Sequence, residues 1–492
     1  IRAMRRERTG AVFTAQLKDE PVSEKKIASS ATRVFSASPV DYLLLTRKYS
    51  LSFIRLLQRN RYVFEAGPGT VVQSTEWADL YAYLTHHGED RIVAGDYASF
   101  DKSMAPEFIL GAFEIIRRVC ERGPKYPSEG LDVLDSISHD IAFPYTDFFG
   151  DLVMFVGSNP SGHPLTAIIN SIVNSLYMRC VYAILNPDHE VSTFKENVRL
   201  FTYGDDNIFG VSKMCPWYNH TSISECFSRY GITYTMAEKD AVSVPYIHIS
   251  EATFLKRSFR FDSDIMEWVA PLDYKSLCKT LLWHVKSAAC SEGYLALQAV
   301  ANVQRELFFY GKNVFNEYRR VFLSLSDKLA PYIPLGIKST TLDAYLPTWD
   351  EELSRFRQSS AKLERLRAQA GRSCLYCHIN GEALCGNISV QSGAIRLPFK
   401  VSTWDKDVDF LSKFGGFYHP LISHEKLRET IMARLHILRA MCMVKSALTD
   451  KSVTSTEMEV IPTQVQADDV KIQQTSGVTT FIEDTPNAVL EF

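Results

Sequence analysis

Apolar residues along this chain recur with periods that change from segment to segment. From Arg91 to Tyr97 (RIVAGDY) a short apolar run reads as a buried strand, and the spacing then becomes helical, with Phe108, Ala112, Ile115, Ile116 and Val119 three and four residues apart. Pro106 suits a first helical turn, where no backbone N–H is needed. The predicted order is strand, turn, helix over 106–121. A second helix is predicted over 164–184, where Ile168, Ile169, Ile172, Val173 and Leu176 form a wide apolar stripe after a Gly-containing loop. Its other face carries Thr166, Asn170 and Asn174.

Between Val198 and Val211 the sequence VRLFTYGDDNIFGV holds two β-prone runs around Gly204, Asp205 and Asp206, the pattern of a hairpin with an acidic tip. Residues 251–259 read as a further strand, and 272–310 are largely helical in period. The charged run 351–370 reads as a helix or linker and marks a boundary. No repeat of fixed period is present. After about Lys451 the chain turns to Thr, Ser, Val and Gln with few large apolar residues, so 451–492 is expected to be disordered or extended.

Composition narrows the classes. The chain has 492 residues, 46% hydrophobic and 23% charged, which excludes collagen-like, wholly disordered and disulfide-scaffold chains and leaves room for roughly two to four domains. No run of about eighteen consecutive apolar residues occurs, and the opening residues are polar and basic rather than a secretory leader, so a soluble protein without a transmembrane segment is expected. The start at Ile1 and the unpunctuated end at Phe492 fit a piece of a longer polypeptide. Ten cysteines without a repeating spacing fit a reducing compartment. Cys374, Cys377, His378 and Cys385 contain one Cys-x2-Cys pair but no second pair at matching distance, so zinc is not expected. Residues 1–50 carry ten Lys/Arg against five Asp/Glu, whereas 451–492 carry two against seven. A basic front end points to phosphate-bearing partners.

Acidic residues gather at two places, Asp96 and Asp101 at the end of one strand and Asp205 and Asp206 at a hairpin tip. If both strands share a sheet, three or four carboxylates converge and repel one another unless cations bind. Hard divalent ions with oxygen ligands are the natural occupants. Two such ions about 4 Å apart stabilise the attacking and leaving oxygens of an in-line displacement at phosphorus. The implied chemistry is phosphoryl or nucleotidyl transfer.

The order of motifs then resembles the RNA-dependent RNA polymerases of picornavirus-like positive-strand RNA viruses, including marine picorna-like and dicistrovirus-like ones. The resemblance runs through KDEPVSEKK and ATRVFSAS, then GDYASFD, GSNPSGHPLTAIINSIVNS, YGDDN, YGITYTMAEKD and FLKRSF, from about residue 9 to residue 260. It implies an α+β right-hand polymerase of fingers, palm and thumb with an antiparallel palm sheet. Expected boundaries are partial fingers over 1–90, palm over 91–261 with a fingers insertion near 122–158, and a helical thumb over 262–345. An extension of unassigned role follows over 346–450. Since only about seventeen residues precede Lys18, fingers incomplete at the N-terminus are expected, and weak activity from this stretch alone.

Carried over by the same resemblance, Asp96 and Asp205 hold two Mg²⁺ ions, for which Mn²⁺ can substitute, with Asp206 assisting and the Tyr97 carbonyl adding a ligand. Asp101, Ser161, Gly162, Thr166 and Asn170 read the incoming ribose, and Thr166 and Asn170 lie one helical turn apart. Lys18, Lys25 or Lys26, and Arg33 contact the triphosphate. Lys239 is the expected general acid for departing pyrophosphate, and Phe254, Leu255, Lys256 and Arg257 grip the primer strand. His163 receives no catalytic role.

The expected partners are template and product RNA, nucleoside triphosphates and other viral replication proteins of the same polyprotein. The expected location is the host cytoplasm at membrane-associated replication complexes. The tail 470–492 is similar to the start of a capsid precursor, with Gln473 and Gln474 as candidate residues before a protease cut. Two other readings compete: a reverse transcriptase, which shares a paired-Asp hairpin, and an inactive nucleic-acid-binding or structural polyprotein segment. Asp101 with Asn170 stands where a reverse transcriptase resembles a bulky aromatic gate, and the intact carboxylates oppose the second rival.

Overall fold

The computed structural model describes residues 2–369 apart from 23, 29–31, 124, 189, 239–240, 286 and 335–340. Lys239, the Cys374–Cys385 group, Gln473, Gln474 and the tail therefore lie outside the described residues. The chain divides into two compact units, of which the first takes in residues 1–270 and the second residues 271–354.

The first unit is built on two four-stranded sheets. One has the order β2-β1-β4-β5, from β1 (Val12–Leu17), β2 (Val34–Ala37), β4 (Tyr145–Phe148) and β5 (Asp151–Met154). Strands β1 and β4 run parallel, and the other pairs are antiparallel. The second sheet, from β3 (Ile92–Tyr97), β6 (Val198–Tyr203), β7 (Asp206–Val211) and β8 (Tyr234–Met236), is antiparallel throughout in the order β6-β7-β3-β8. This is α+β architecture. Strand β3 is central and flanked on both edges, which explains why its sequence is a nearly unbroken apolar run rather than an alternation.

The helix Pro106–Glu121 starts with Pro at its first position and buries Phe108, Ala112, Phe113, Ile116 and Val119. The helix Thr166–Leu185 behaves differently, being buried almost all round. By length and composition it is apolar enough to cross a membrane, but 83% of that stretch is buried inside the protein, the mark of a core helix. Its polar side chains are buried as well, and each needs a partner there. Ser171 donates to the Ala167 carbonyl at 2.8 Å, and Arg179 pairs with buried Glu65 at 2.6 Å.

Residues 251–259 differ from the continuous strand expected. They form a hairpin of β9 (Thr253–Phe254) and β10 (Arg257–Ser258) whose turn residues Leu255 and Lys256 have φ of 53° and 59°. Two successive left-handed residues make the tight turn that matches strand twist, and it is usually announced by Asn or Gly. Here neither residue signals it. A second hairpin, β11 (Arg260–Asp262) and β12 (Glu267–Val269), follows.

In the second unit the helical period of 272–310 resolves into Tyr274–Leu282 and Glu292–Glu306, followed by Lys312–Leu323. Asp273 and Ser291 cap the first two by accepting from the backbone N–H of Ser276 (3.2 Å) and Tyr294 (3.3 Å). Phe308 and Phe315 pack on the Trp349 ring, at centroid distances of 4.6 and 5.7 Å.

Candidate active site

Register decides which carboxylates meet. In the β3–β7 pair Gly95 faces Asn207, and the next step along both strands sets Asp96 against Asp206. Because Tyr203 pairs with Asp206, only Gly204 and Asp205 form the hairpin turn, which by the β3–β7 register lies level with the end of β3. Gly204 takes φ +68°, a conformation that strains any residue with a Cβ. Both expected acidic groups therefore lie at one edge of one sheet, which the sequence left conditional.

The electrostatics agree with the register. Although solvent reaches Asp205 at the tip, partial burial by surrounding protein raises its carboxyl above the ordinary value, and the charge of Asp96 raises it further. Asp101, in the short helical turn Phe100–Ser103 after β3, is likewise raised by burial and then by Asp205, with its hydrogen bond from Asn170 pulling the other way. Arg33 lowers both groups, so its charge is felt at this cluster. Among the described residues no three His, Cys, Asp or Glu side chains come close enough to hold a metal ion by themselves. Asp205 nevertheless feels the charge of Asp96, and Asp101 feels that of Asp205, so these carboxylates share one region.

A second layer fixes the hairpin turn from below. The Asn174 amide donates to the carbonyls of Gly204 at 3.1 Å and Asp205 at 2.9 Å, and its oxygen accepts from the Tyr97 hydroxyl at 3.3 Å. Ser171 accepts from the Gly204 N–H at 2.9 Å. These contacts tie the end of β3, the core helix and the acidic turn together. Asn174 was legible only as a polar residue on an apolar helix.

The expected ribose-reading residues also converge. Asn170 donates to Asp101 Oδ1. Thr166 opens the core helix, and its hydroxyl donates into the preceding loop, to His163 O at 2.9 Å and Pro160 O at 3.1 Å. Gly162 bridges to Ala37 at the end of β2, so close that a Cβ would stand 2.1 Å from the Ser36 carbonyl. The Ser38 hydroxyl donates to Gly162 O at 2.9 Å, while Ser161 beside it is exposed. The end of the basic β1–β2 pair is thus docked onto the loop before the core helix.

Lys18 and Arg33 share one carboxylate, Glu20, at 3.3 and 3.4 Å, and both are exposed. Lys26 is exposed, and the side chain of Lys25 lies outside the described set. In the FLKR turn Lys256 faces solvent, whereas Phe254 is buried. Arg257 is buried and donates to Ala270 O at 2.7 Å.

A family model described as viral RNA-dependent RNA polymerase matches residues 3–326. Among curated relatives, the replicase polyprotein of Cricket paralysis virus is 32% identical over 355 residues, covering 69% of this chain and 19% of that protein. The genome polyprotein of Deformed wing virus is 32% identical over 329 residues, covering 65% and 11%. The RNA1 polyprotein of Cowpea mosaic virus is 29% identical over 315 residues, covering 62% and 16%. The chain thus spans about a fifth or less of these relatives' length. A sicinivirus 3Dpol RNA-dependent RNA polymerase structure superposes with a TM-score of 0.57 at 18% identity, over 73% of this chain and 70% of that one, which fixes the right-hand polymerase fold. With its matched span covering well over half of its length, the chain belongs to the viral RNA-dependent RNA polymerase family.

Proposed function

We propose that this chain performs RNA-templated RNA synthesis in viral genome replication. An RNA 3′-hydroxyl attacks the α-phosphate of a ribonucleoside triphosphate, a new phosphodiester bond forms, and pyrophosphate leaves. One observation carries this reading: β3–β7 register brings Asp96 beside the Asp205 turn, close enough for its charge to raise the Asp205 carboxyl.

That repulsion fits a divalent cation. Mg²⁺ is typically held by one or two carboxylates, keeps waters and takes remaining oxygens from substrate phosphates. Asp96 and Asp205 would hold Mg²⁺, with Mn²⁺ able to replace it, Asp206 and the Tyr97 carbonyl being the nearest further donors along the chain. When bound, the ions neutralise charge on the triphosphate and activate the attacking oxygen. Arg33 and Lys18 orient the triphosphate, with Lys25 or Lys26 assisting. Asp101 and Asn170, with Ser161 and Thr166, read the sugar. Lys239 protonates the departing pyrophosphate. Lys256 holds the primer strand. Template RNA supplies base choice by pairing, and other replication proteins supply the setting, at membrane-associated complexes in the host cytoplasm.

Primer extension by the full-length protein tests this. Ribonucleotide incorporation directed by an RNA template, abolished by EDTA and restored by Mg²⁺, is expected, with NTP preferred over dNTP by roughly a hundredfold or more because an absent 2′-hydroxyl leaves buried polar groups unpaired. A preference for dNTP would reject the reading in favour of a reverse transcriptase.

A further inference from the structure

Behind Asp101 and Asn170 runs a line of buried polar side chains that the reading above leaves unused. Asn159 and His163 are 2% and 6% exposed and lie in the loop before the core helix. His163 Nε2 meets Asn159 Oδ1 at 2.8 Å, Asn159 Nδ2 meets Asn170 Oδ1 at 2.7 Å, and Asn170 Nδ2 meets Asp101 Oδ1. Asn159 Nδ2 also lies 3.4 Å from the Thr166 carbonyl.

Chemistry gives this line a direction. His163 Nδ1 accepts from the Leu165 backbone N–H at 3.2 Å, so it carries no proton. Burial pushes the imidazole down to about 3, and the ring is neutral at working pH. A neutral imidazole has one N–H, which must therefore sit on Nε2 and point at Asn159 Oδ1. That choice turns the Asn159 amide nitrogen toward Asn170, and Asn170 in turn presents its own amide nitrogen to Asp101. The Thr166 carbonyl independently requires a donor on the same side of Asn159. Every bond donates toward the carboxylate, the one group in the line that only accepts.

We propose that His163 and Asn159 are positioning residues for sugar selection: together they fix the orientation of the Asn170 amide, which holds Asp101 so that its carboxylate accepts from the ribose 2′-hydroxyl. The proposal rests on the polymerase reading but not on any group that touches the cation. Without the relay Asn170 is free to turn its oxygen toward Asp101, two acceptors face each other, and the carboxylate leaves the sugar-reading position. The penalty falls on substrates that offer a 2′-hydroxyl and spares those that lack one.

The test is the ratio of kcat/KM for an NTP to that for the matching dNTP, on a primed RNA template with the full-length protein. Asn159→Asp places an acceptor where Asn170 needs a donor, and His163→Leu removes the first donor. Both are expected to lower the ratio by about tenfold or more, chiefly by loss of NTP use. His163→Gln, whose amide can accept from Leu165 and donate to Asn159, is expected to keep the ratio within threefold of wild type. Should Asn159→Asp fail to fold, judged by thermal unfolding, His163→Leu against His163→Gln reads the same quantity. Unchanged ratios in Asn159→Asp and His163→Leu, or equal losses for both nucleotides, would overturn the relay while wild-type RNA synthesis leaves the polymerase reading intact. A wild-type protein that adds no nucleotide would overturn both.

Discussion

Asp205→Asn is expected to reduce nucleotide incorporation by at least about a thousandfold while leaving the thermal unfolding of the protein nearly unchanged. The substitution keeps the size of the side chain and deletes one negative charge at the hairpin tip. The turn that carries it is held by Asn174 to the Gly204 and Asp205 carbonyls and Ser171 to the Gly204 N–H, and the backbone N–H groups of Asp205 and Asp206 that bond the carboxylate can equally bond the amide oxygen of an Asn there. Deleting the charge also removes the repulsion with Asp96. Structure is therefore preserved or slightly stabilised while the cation loses half of its carboxylate pair. Single-turnover extension of a labelled primer, paired with a melting curve, separates the two effects. Loss of activity together with a collapse of the melting temperature would mean that Asp205 serves the fold instead.

The largest effect on stability is expected from Arg179→Met. Arg179 makes a two-pronged contact with Glu65, Nη1 to Oε2 at 2.6 Å and Nη2 to Oε1 at 2.8 Å, and both side chains are at most 2% exposed. Ser175 donates to the same carboxylate at 2.7 Å. Removing the guanidinium leaves a buried carboxylate without its counter-charge, a loss of about 3–5 kcal/mol. In a unit of this size that lowers the melting temperature by roughly 6 °C or more. Adding Glu65→Gln, which removes the stranded charge, is expected to recover part of the loss. The damage reaches the active site because the Glu65 carbonyl accepts from both the N–H (2.9 Å) and the hydroxyl (2.8 Å) of Thr202, two residues before Gly204.

The same pair sets an acid limit. Burial alone would raise the Glu65 carboxyl, but the charge and hydrogen bonds of Arg179, with the charge of Lys195 and the hydrogen bond from Ser175, outweigh it and hold the group below its ordinary value. A carboxyl depressed in the folded state stabilises the protein at pH above its unfolded value, near 4.3, and that contribution fades as pH falls through the lower folded value. Arg179→Met should therefore flatten the fall in melting temperature that wild type is expected to show below about pH 4.

What the sequence made legible follows from the range of the forces involved. The strand 92–97, the helix 106–121 and the hairpin 198–211 announce themselves through local periodicity and one glycine at the turn, and each is found within a residue or two of its expected bounds. The β2-β1-β4-β5 sheet was not legible, because its β1–β4 pairing joins segments more than a hundred residues apart with no turn between them to fix the register. The Leu255–Lys256 turn was missed because both residues adopt a left-handed backbone without Gly or Asn to signal it. Motif resemblance supplied Asp101 and Asn170. Asn159 carried no distinct signal because a polar residue in a loop looks solvated until its burial is known, and His163, given no catalytic role, shows its part only through its burial and its bond to Asn159. Their signal was present only as one amide and one imidazole just before an apolar helix.

The central claim is that Asp96 and Asp205, brought together by β-sheet register, jointly bind a divalent cation that the triphosphate completes. Electron paramagnetic resonance of Mn²⁺ titrated into the protein with a non-hydrolysable NTP analogue tests it directly. Wild type is expected to bind Mn²⁺ in a manner that strengthens with the nucleotide, and Asp96→Asn combined with Asp205→Asn is expected to abolish that strengthening while still melting as a folded protein. Equal Mn²⁺ binding by the folded double variant and by wild type, with and without nucleotide, would contradict the account.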